Sequence, residues 1–243
     1  MNKVINTVVI TPDNYNPDKE QYPVVYLLHG YNSSYSTWIE NVPDLEKFAD
    51  LHNFIIVCPD GGFSSWYFDS PVNEDYKYET HVTREVVDYI DTNYSTIQDR
   101  KGRAITGFSM GGHGALYLAF RHQDIFGAAG SQSGGIDIRP FPDSWEISEI
   151  LGEYEDYPEN WEKNTVANMI GLLKPDSLAL IIDCGINDFF YPVNKNFHKR
   201  LMEINIPHEY IERPGQHDWE YWKISVKSQL LFFNKYFRDR NIY

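Results

Sequence analysis

Two rhythms of hydrophobic and polar positions alternate along the chain. Short segments at residues 4–10, 24–29, 54–58, 103–106, 128–131, 178–184 and 208–213, several of them rich in Val, Ile and Leu, predict β-strands. Several are apolar at every position, as expected of parallel strands covered on both faces. Between them run amphipathic stretches that predict helices at 44–52, 80–94, 110–121, 193–204 and 219–237. In the second, Val82, Val86, Val87, Ile90 and Tyr94 recur at helical spacing on an otherwise polar segment. Strand and helix in turn predict an α/β fold, a mostly parallel central sheet flanked by helices, as one domain over residues 1–243.

One stretch interrupts the alternation. Residues 143–162 hold eight carboxylates and no Lys or Arg, together with Trp145, Tyr154, Tyr157 and Trp161. A charge run of this kind reads first as a solvated excursion. Its position between two strands also suits a small lid over a cleft, spanning about residues 136–168.

Composition narrows the classes of function. The net charge of −14 repels a polyanion, so nucleic acid is excluded as a partner. Two cysteines, Cys58 and Cys184, are too few for a disulfide framework and sit beside apolar runs, as reduced core thiols do. No apolar run approaches the ~20 residues of a membrane span, and Met1 to Thr7 carries no signal-peptide core, so the chain reads as soluble with no membrane partner. Neither a His-Glu-x-x-His pattern nor a phosphate-cradling loop occurs, so neither a metal nor another cofactor is expected. The oligomeric state is not legible. At 16%, the aromatic content is high and asks for a use.

The chemistry concentrates in Gly107-Phe108-Ser109-Met110-Gly111-Gly112, which fits G-x-S-x-G between a predicted strand and a Gly/Ala-rich helix. A serine on so tight a turn needs neighbours without side chains, and Gly107 and Gly111 supply them. The hydroxyl would then stand at the positive end of a helix. An ordinary serine is a weak nucleophile and requires a base and an orienting acid. Of the histidines that follow, His122 ends the nucleophile helix, His198 lies within a helix and His208 opens a strand. His217 lies in the loop after the last strand, at the sheet edge where reactive groups gather. Asp188, on the loop after strand 178–184, is the preferred acid. Asp183 lies inside that strand and is the fallback, while Asp218 adjoins His217 too closely to orient it. The oxyanion donors expected are the backbone N–H of Met110 and that of Tyr31. His29 is expected to fix the Tyr31 loop by hydrogen bonds.

These motifs, with Leu27-Leu28-His29-Gly30, Pro59-Asp60-Gly61-Gly62, Ser65-Trp66-Tyr67, Cys184-Gly185-Ile186-Asn187-Asp188 and Gly215-Gln216-His217-Asp218-Trp219, resemble the putative-esterase family of α/β-hydrolases over nearly the whole chain. That family includes esterase D (S-formylglutathione hydrolase), tributyrin esterases, feruloyl and acetyl xylan esterases and the mycolyltransferases. The resemblance implies a triad of Ser109, Asp188 and His217 with oxyanion donors at Tyr31 and Met110. It implies hydrolysis of short-chain or aromatic acyl esters of plant carbohydrates through an acyl-enzyme, the substrate being a small-molecule or glycan ester. A thioesterase of the S-formylglutathione type and a non-catalytic carbohydrate-binding relic are the alternatives. Trp66, Tyr67 and Trp219 are candidate substrate contacts. Similar esterases carry a Ser-rich stretch and a first strand before the position of Met1, so an upstream segment is expected, with periplasmic or secreted location if it includes a signal peptide.

Overall fold

A computed structural model describes Met1 and residues 3–242. Its centre is a seven-stranded sheet made of β1 (Thr7–Ile10), β2 (Val24–Leu28), β3 (Ile55–Pro59), β4 (Arg103–Gly107), β5 (Ala128–Gln132), β6 (Ala179–Gly185) and β7 (Glu209–Arg213). The strands lie in the order β1-β3-β2-β4-β5-β6-β7. Only β1 runs antiparallel, against β3, and every other neighbour is parallel. The expected strand over 4–10 is shorter than its apolar run. Pairing with β3 begins at Thr7, and Val4 is 96% exposed.

Alternation within the buried strands divides the core in two, because successive side chains point to opposite faces. Val24, Tyr26 and Leu28 of β2 face one layer, with the helices of residues 78–93 and Met110–Arg121. Val25 and Leu27 face the other, with Leu45–His52 and the long Trp219–Asp239 helix. Tyr78–Thr80, His81–Val86 and Val87–Asn93 run on without a break, the middle stretch widened to π-helical hydrogen bonding. Cys58 and Cys184 are both free and buried. No helix among the described residues is long and apolar enough to cross a membrane.

The excursion closes on itself at its base, where the Ala167 N–H donates to the Ile136 carbonyl at 3.0 Å. It contains two short helices the hydrophobic pattern did not predict, Ile147–Leu151 and Pro158–Asn164. Ile147, Ile150, Leu151 and Trp161 enter the core, whereas every carboxylate of the run except Glu146 faces water. The segment is thus solvated on its charged face and docked into the core by its apolar side chains.

Candidate active site

At the end of β4 the chain turns sharply into the helix Met110–Arg121. Ser109 sits at the turn with φ 55° and ψ −120°, a conformation that costs a residue with a side chain about 1–3 kcal/mol. Neighbouring backbone holds it there. The Ser109 N–H donates to the Gln132 carbonyl of β5 at 2.9 Å, and the Ser109 carbonyl accepts from Gly112 and His113. The flanking glycines are steric necessities. A Cβ on Gly107 would lie 2.6 Å from the Leu28 carbonyl oxygen, and one on Gly111 2.5 Å from that of His29. Met110 begins the helix, so its N–H belongs to the first turn, whose amides have no intrahelical partner.

The other two candidate residues come from adjacent strands. The loop after β6 carries Asp188 and the loop after β7 carries His217. They are tied by hydrogen bonds from Ile186 N–H to Arg213 O and from Asn187 N–H to Gly215 O, both at 3.0 Å. Gly185 and Gly215 let them touch, since a Cβ on Gly185 would meet the Gly215 oxygen at 2.5 Å. His217 Nδ1 donates to Asp188 Oδ2 at 2.8 Å, and its Nε2 lies 2.9 Å from Ser109 Oγ. Asp188 Oδ1 accepts from the Phe190 N–H at 2.8 Å, which fixes the carboxylate plane. Since Asp188 takes the Nδ1 proton, Nε2 is left as the acceptor that faces the serine hydroxyl.

Asp183 and Asp218 are engaged elsewhere. Asp183 is fully buried, accepting from the Tyr221 hydroxyl and from Arg213 at 2.6 Å. Burial pushes its carboxyl above the usual range despite these partners. Asp218 caps the last helix by accepting from the Tyr221 N–H at 3.0 Å. The remaining histidines downstream also have partners of their own, His122 with Glu79 and His198 with His208. His29 joins the loops after β2 and β3, accepting from the Gly61 N–H at 2.7 Å and donating to the Gly30 carbonyl at 2.8 Å. Gly30 lies against the Phe108 ring, where a Cβ would come within 2.4 Å.

Residues 1–233 match the model of the family described as "Putative esterase". The chain belongs to that family. The family member is similar to a ferulic acid esterase of known structure, with 32% identity, a TM-score of 0.80 and coverage of 95% of this chain and 92% of that one. It is similar to a fluorophosphonate-binding serine hydrolase from Staphylococcus aureus, with 26% identity, a TM-score of 0.81 and the same shares covered. Among curated sequences it matches an esterase from Mycobacterium tuberculosis at 28% identity over 235 residues, 86% of this chain and 51% of the relative. It thus spans about half the length of that relative. Its fold is the α/β-hydrolase fold.

The aromatic residues around this esterase-family site are arranged differently from the expectation. Trp66 and Tyr67 are buried in the core, not on a surface, which corrects their assignment as substrate contacts. Consecutive left-handed conformations, φ 51° and 63°, turn them inward, and the Tyr67 hydroxyl donates to the His29 carbonyl at 3.0 Å. Trp219 is half-buried and packs edge-on to Trp38 and Phe108 in the opposite layer. Phe189, 49% exposed, has its ring centre 4.3 Å from that of His217, and Ile186, 43% exposed, lies two residues before Asp188. Beyond β2, Tyr31 packs on Phe63, which is 52% exposed.

The excursion joins these two sides. Trp145 stacks on Phe189 at 5.8 Å and lies 5.2 Å from Phe190, while Glu146 accepts a hydrogen bond from the Tyr31 hydroxyl at 2.9 Å. Trp145 and Glu146 both have left-handed backbone, φ 55° and 49°, at a cost of about 1–2 kcal/mol each. Sequence reasoning missed Phe189, Phe190 and Glu146. Two aromatics directly after the candidate acid were the available signal for the first two. Glu146 had none, because it looks like any other carboxylate of the run. Among the described residues no group of three or more His, Cys, Asp or Glu could hold a metal ion.

Proposed function

We propose that this protein is a serine carboxylesterase acting on neutral short-chain or aromatic acyl esters of plant carbohydrates. The observation that carries the reading is the unbroken relay Asp188–His217–Ser109, with contacts of 2.8 and 2.9 Å, at the C-terminal edge of the sheet. In the proposed cycle Ser109 Oγ attacks the acyl carbon as His217 Nε2 takes its proton. The oxyanion forms against the backbone N–H groups of Met110 and Tyr31, each such donor being worth about 10²–10³ in rate. The tetrahedral adduct collapses when His217 returns the proton to the alkoxide, which leaves as the alcohol. Water then attacks the acyl-enzyme with His217 as base, and the second adduct collapses by breaking the bond to Ser109 Oγ, which takes the proton back from His217 as the carboxylic acid departs. Asp188 keeps the imidazole in the required tautomer and stabilises its charged form.

The surroundings support an apolar or aromatic acyl group. Phe189, Ile186 and Phe63 offer it half-exposed apolar surface, and similarity to a ferulic acid esterase favours an aromatic one. The acidic excursion beside the cleft disfavours an anionic substrate, which weighs against a glutathione thioester. Labelling by a fluorophosphonate, and hydrolysis of methyl ferulate or acetylated xylan in preference to S-formylglutathione, are the expected results, both lost in Ser109→Ala. Absence of labelling in the native protein would instead indicate a binding relic of the fold, and preference for S-formylglutathione a thioesterase.

A further inference from the structure

We propose that the hydrogen bond from Tyr31 to Glu146 is a latch that holds Trp145 across the mouth of the cleft and limits the size of the acyl group admitted. The inference rests on the ester-hydrolysis reading for its substrate, though not for its geometry. Trp145 and Glu146 form one turn whose side chains reach opposite walls. The indole stacks on Phe189, itself against the His217 imidazole, while the carboxylate meets the hydroxyl of Tyr31 beyond β2, 115 positions away in sequence. The wall formed by Trp145, Phe189 and Phe190 is apolar, so what it obstructs is the apolar acyl chain and not a hydrated alcohol.

The turn has reason to open once released. Both of its residues hold left-handed backbone, which side chains disfavour. Besides the Tyr31 bond, one bond reaches the turn from elsewhere in the chain, a long one from the Trp66 indole N–H to the Trp145 carbonyl at 3.4 Å. Within the excursion itself, Ser144 O accepts from Ile147 N–H at 3.3 Å and Glu146 O from Glu149 N–H at 3.2 Å. The second carboxylate oxygen of Glu146 is buried without a partner. Removing the Tyr31 hydroxyl therefore leaves a carboxylate short of any donor, and water becomes its better environment. The far end of the excursion is anchored separately. The Asn164 carbonyl accepts from His113 at 3.1 Å, and the Trp161 indole donates to the Gly152 carbonyl at 2.8 Å. Opening the front of the excursion thus leaves its attachment to the nucleophile helix in place.

Four variants test the latch, Tyr31→Phe, Glu146→Ala, the double variant and Glu146→Gln. Two readouts are taken, the ratio of kcat/KM for p-nitrophenyl octanoate to that for p-nitrophenyl acetate, and the rate of chymotryptic cleavage after Trp145 in the folded protein. Tyr31→Phe and Glu146→Ala are each expected to raise both by about tenfold, the order expected for one hydrogen bond to a charged group, and the double variant to match either single one. Glu146→Gln, whose amide oxygen accepts the same hydroxyl, keeps both readouts near the native values. An unchanged ratio and unchanged cleavage in Tyr31→Phe overturn the proposal, as does an equal loss on both esters without faster cleavage. If neither ester is hydrolysed in a Ser109-dependent way, the ester reading fails, and the cleavage rates alone still decide the latch.

Discussion

The turn at Ser109 and the turn at Trp145–Glu146 are both strained backbone, yet they are held in different ways. Ser109 is fixed by backbone and by the absence of side chains, with Gly107 and Gly111 pressed against the carbonyls of Leu28 and His29. Trp145 and Glu146 are fixed by side chains from distant parts of the chain, an indole on Phe189 and a carboxylate on Tyr31. Backbone packing leaves one conformation available and suits a group that must not move. Side-chain contacts can be broken singly, which suits a wall that yields to substrate.

The largest effect expected on the rigid side is chemical. Asp188→Asn keeps the loop contacts but reverses the favoured imidazole tautomer, and kcat should fall by about 10⁴-fold with KM nearly unchanged. Steady-state kinetics on a p-nitrophenyl ester checks it, and a loss below tenfold would return Asp183 to consideration.

The next test concerns the packing of the turn. Gly111→Ala forces a Cβ to within 2.5 Å of backbone oxygen and is expected to destabilise the fold by about 3 kcal/mol, near the upper end for overpacked sites, as read from the urea midpoint. Its counterpart Trp145→Ala in the excursion should cost far less stability.

A third prediction uses the network that ties the Met110–Arg121 helix to its neighbour. Glu79 accepts from Tyr117, Arg121 and His122. Burial by itself would raise its carboxyl, but these donors overcome burial and hold it down at about 2. Because the folded value lies below the unfolded one, the stabilisation is fully present above the ordinary carboxylate range and is lost as pH falls from there towards about 2. Glu79→Gln should therefore cost on the order of 2–3 kcal/mol at pH 7 and progressively less below pH ~4.5. Denaturation series at pH 7 and pH 3 make the comparison, and an equal cost at both would mean the carboxylate charge contributes nothing.

The smallest effect belongs to the exposed face of the excursion. Replacing Glu153, Glu155, Asp156 and Glu159 by their amides should change stability by under about 0.5 kcal/mol per site, since all four face water. Hydrolysis of an ester carrying a free carboxylate should rise about two- to fivefold at low salt, with no change for a neutral ester and no difference at 1 M NaCl. A gain that persists at high salt would point to altered packing instead of the local field.

The central strands β2, β3 and β6 and the longer helices were legible from apolar periodicity, because a sheet covered on both faces requires continuous apolar runs and a helix beside it requires one apolar stripe. By contrast β7, Glu209–Arg213, is a half-exposed edge strand with no such run. The short helices Ile147–Leu151 and Pro158–Asn164 were not, since each is too short to show a period and is stabilised by docking. Ser109 was legible for a local reason, as its turn is specified within six residues. His217 and Asp188 could be nominated only by their place after strands. The aromatics show the opposite limit, for Trp66 and Tyr67 have the composition of a binding surface and are buried.

The sequence by itself determined the layered α/β fold, the glycine-flanked serine, the order of the candidate acid and base, and the concentration of negative charge in one excursion. These depend on spacing and on what a residue's own backbone allows. Only the tertiary structure decided which carboxylate meets His217, which aromatics reach the cleft, and that one glutamate of an acidic run turns inward to Tyr31. Those choices depend on the register of neighbouring strands and on contacts between residues far apart in the chain, such as Tyr31 and Glu146, to which no local pattern is sensitive.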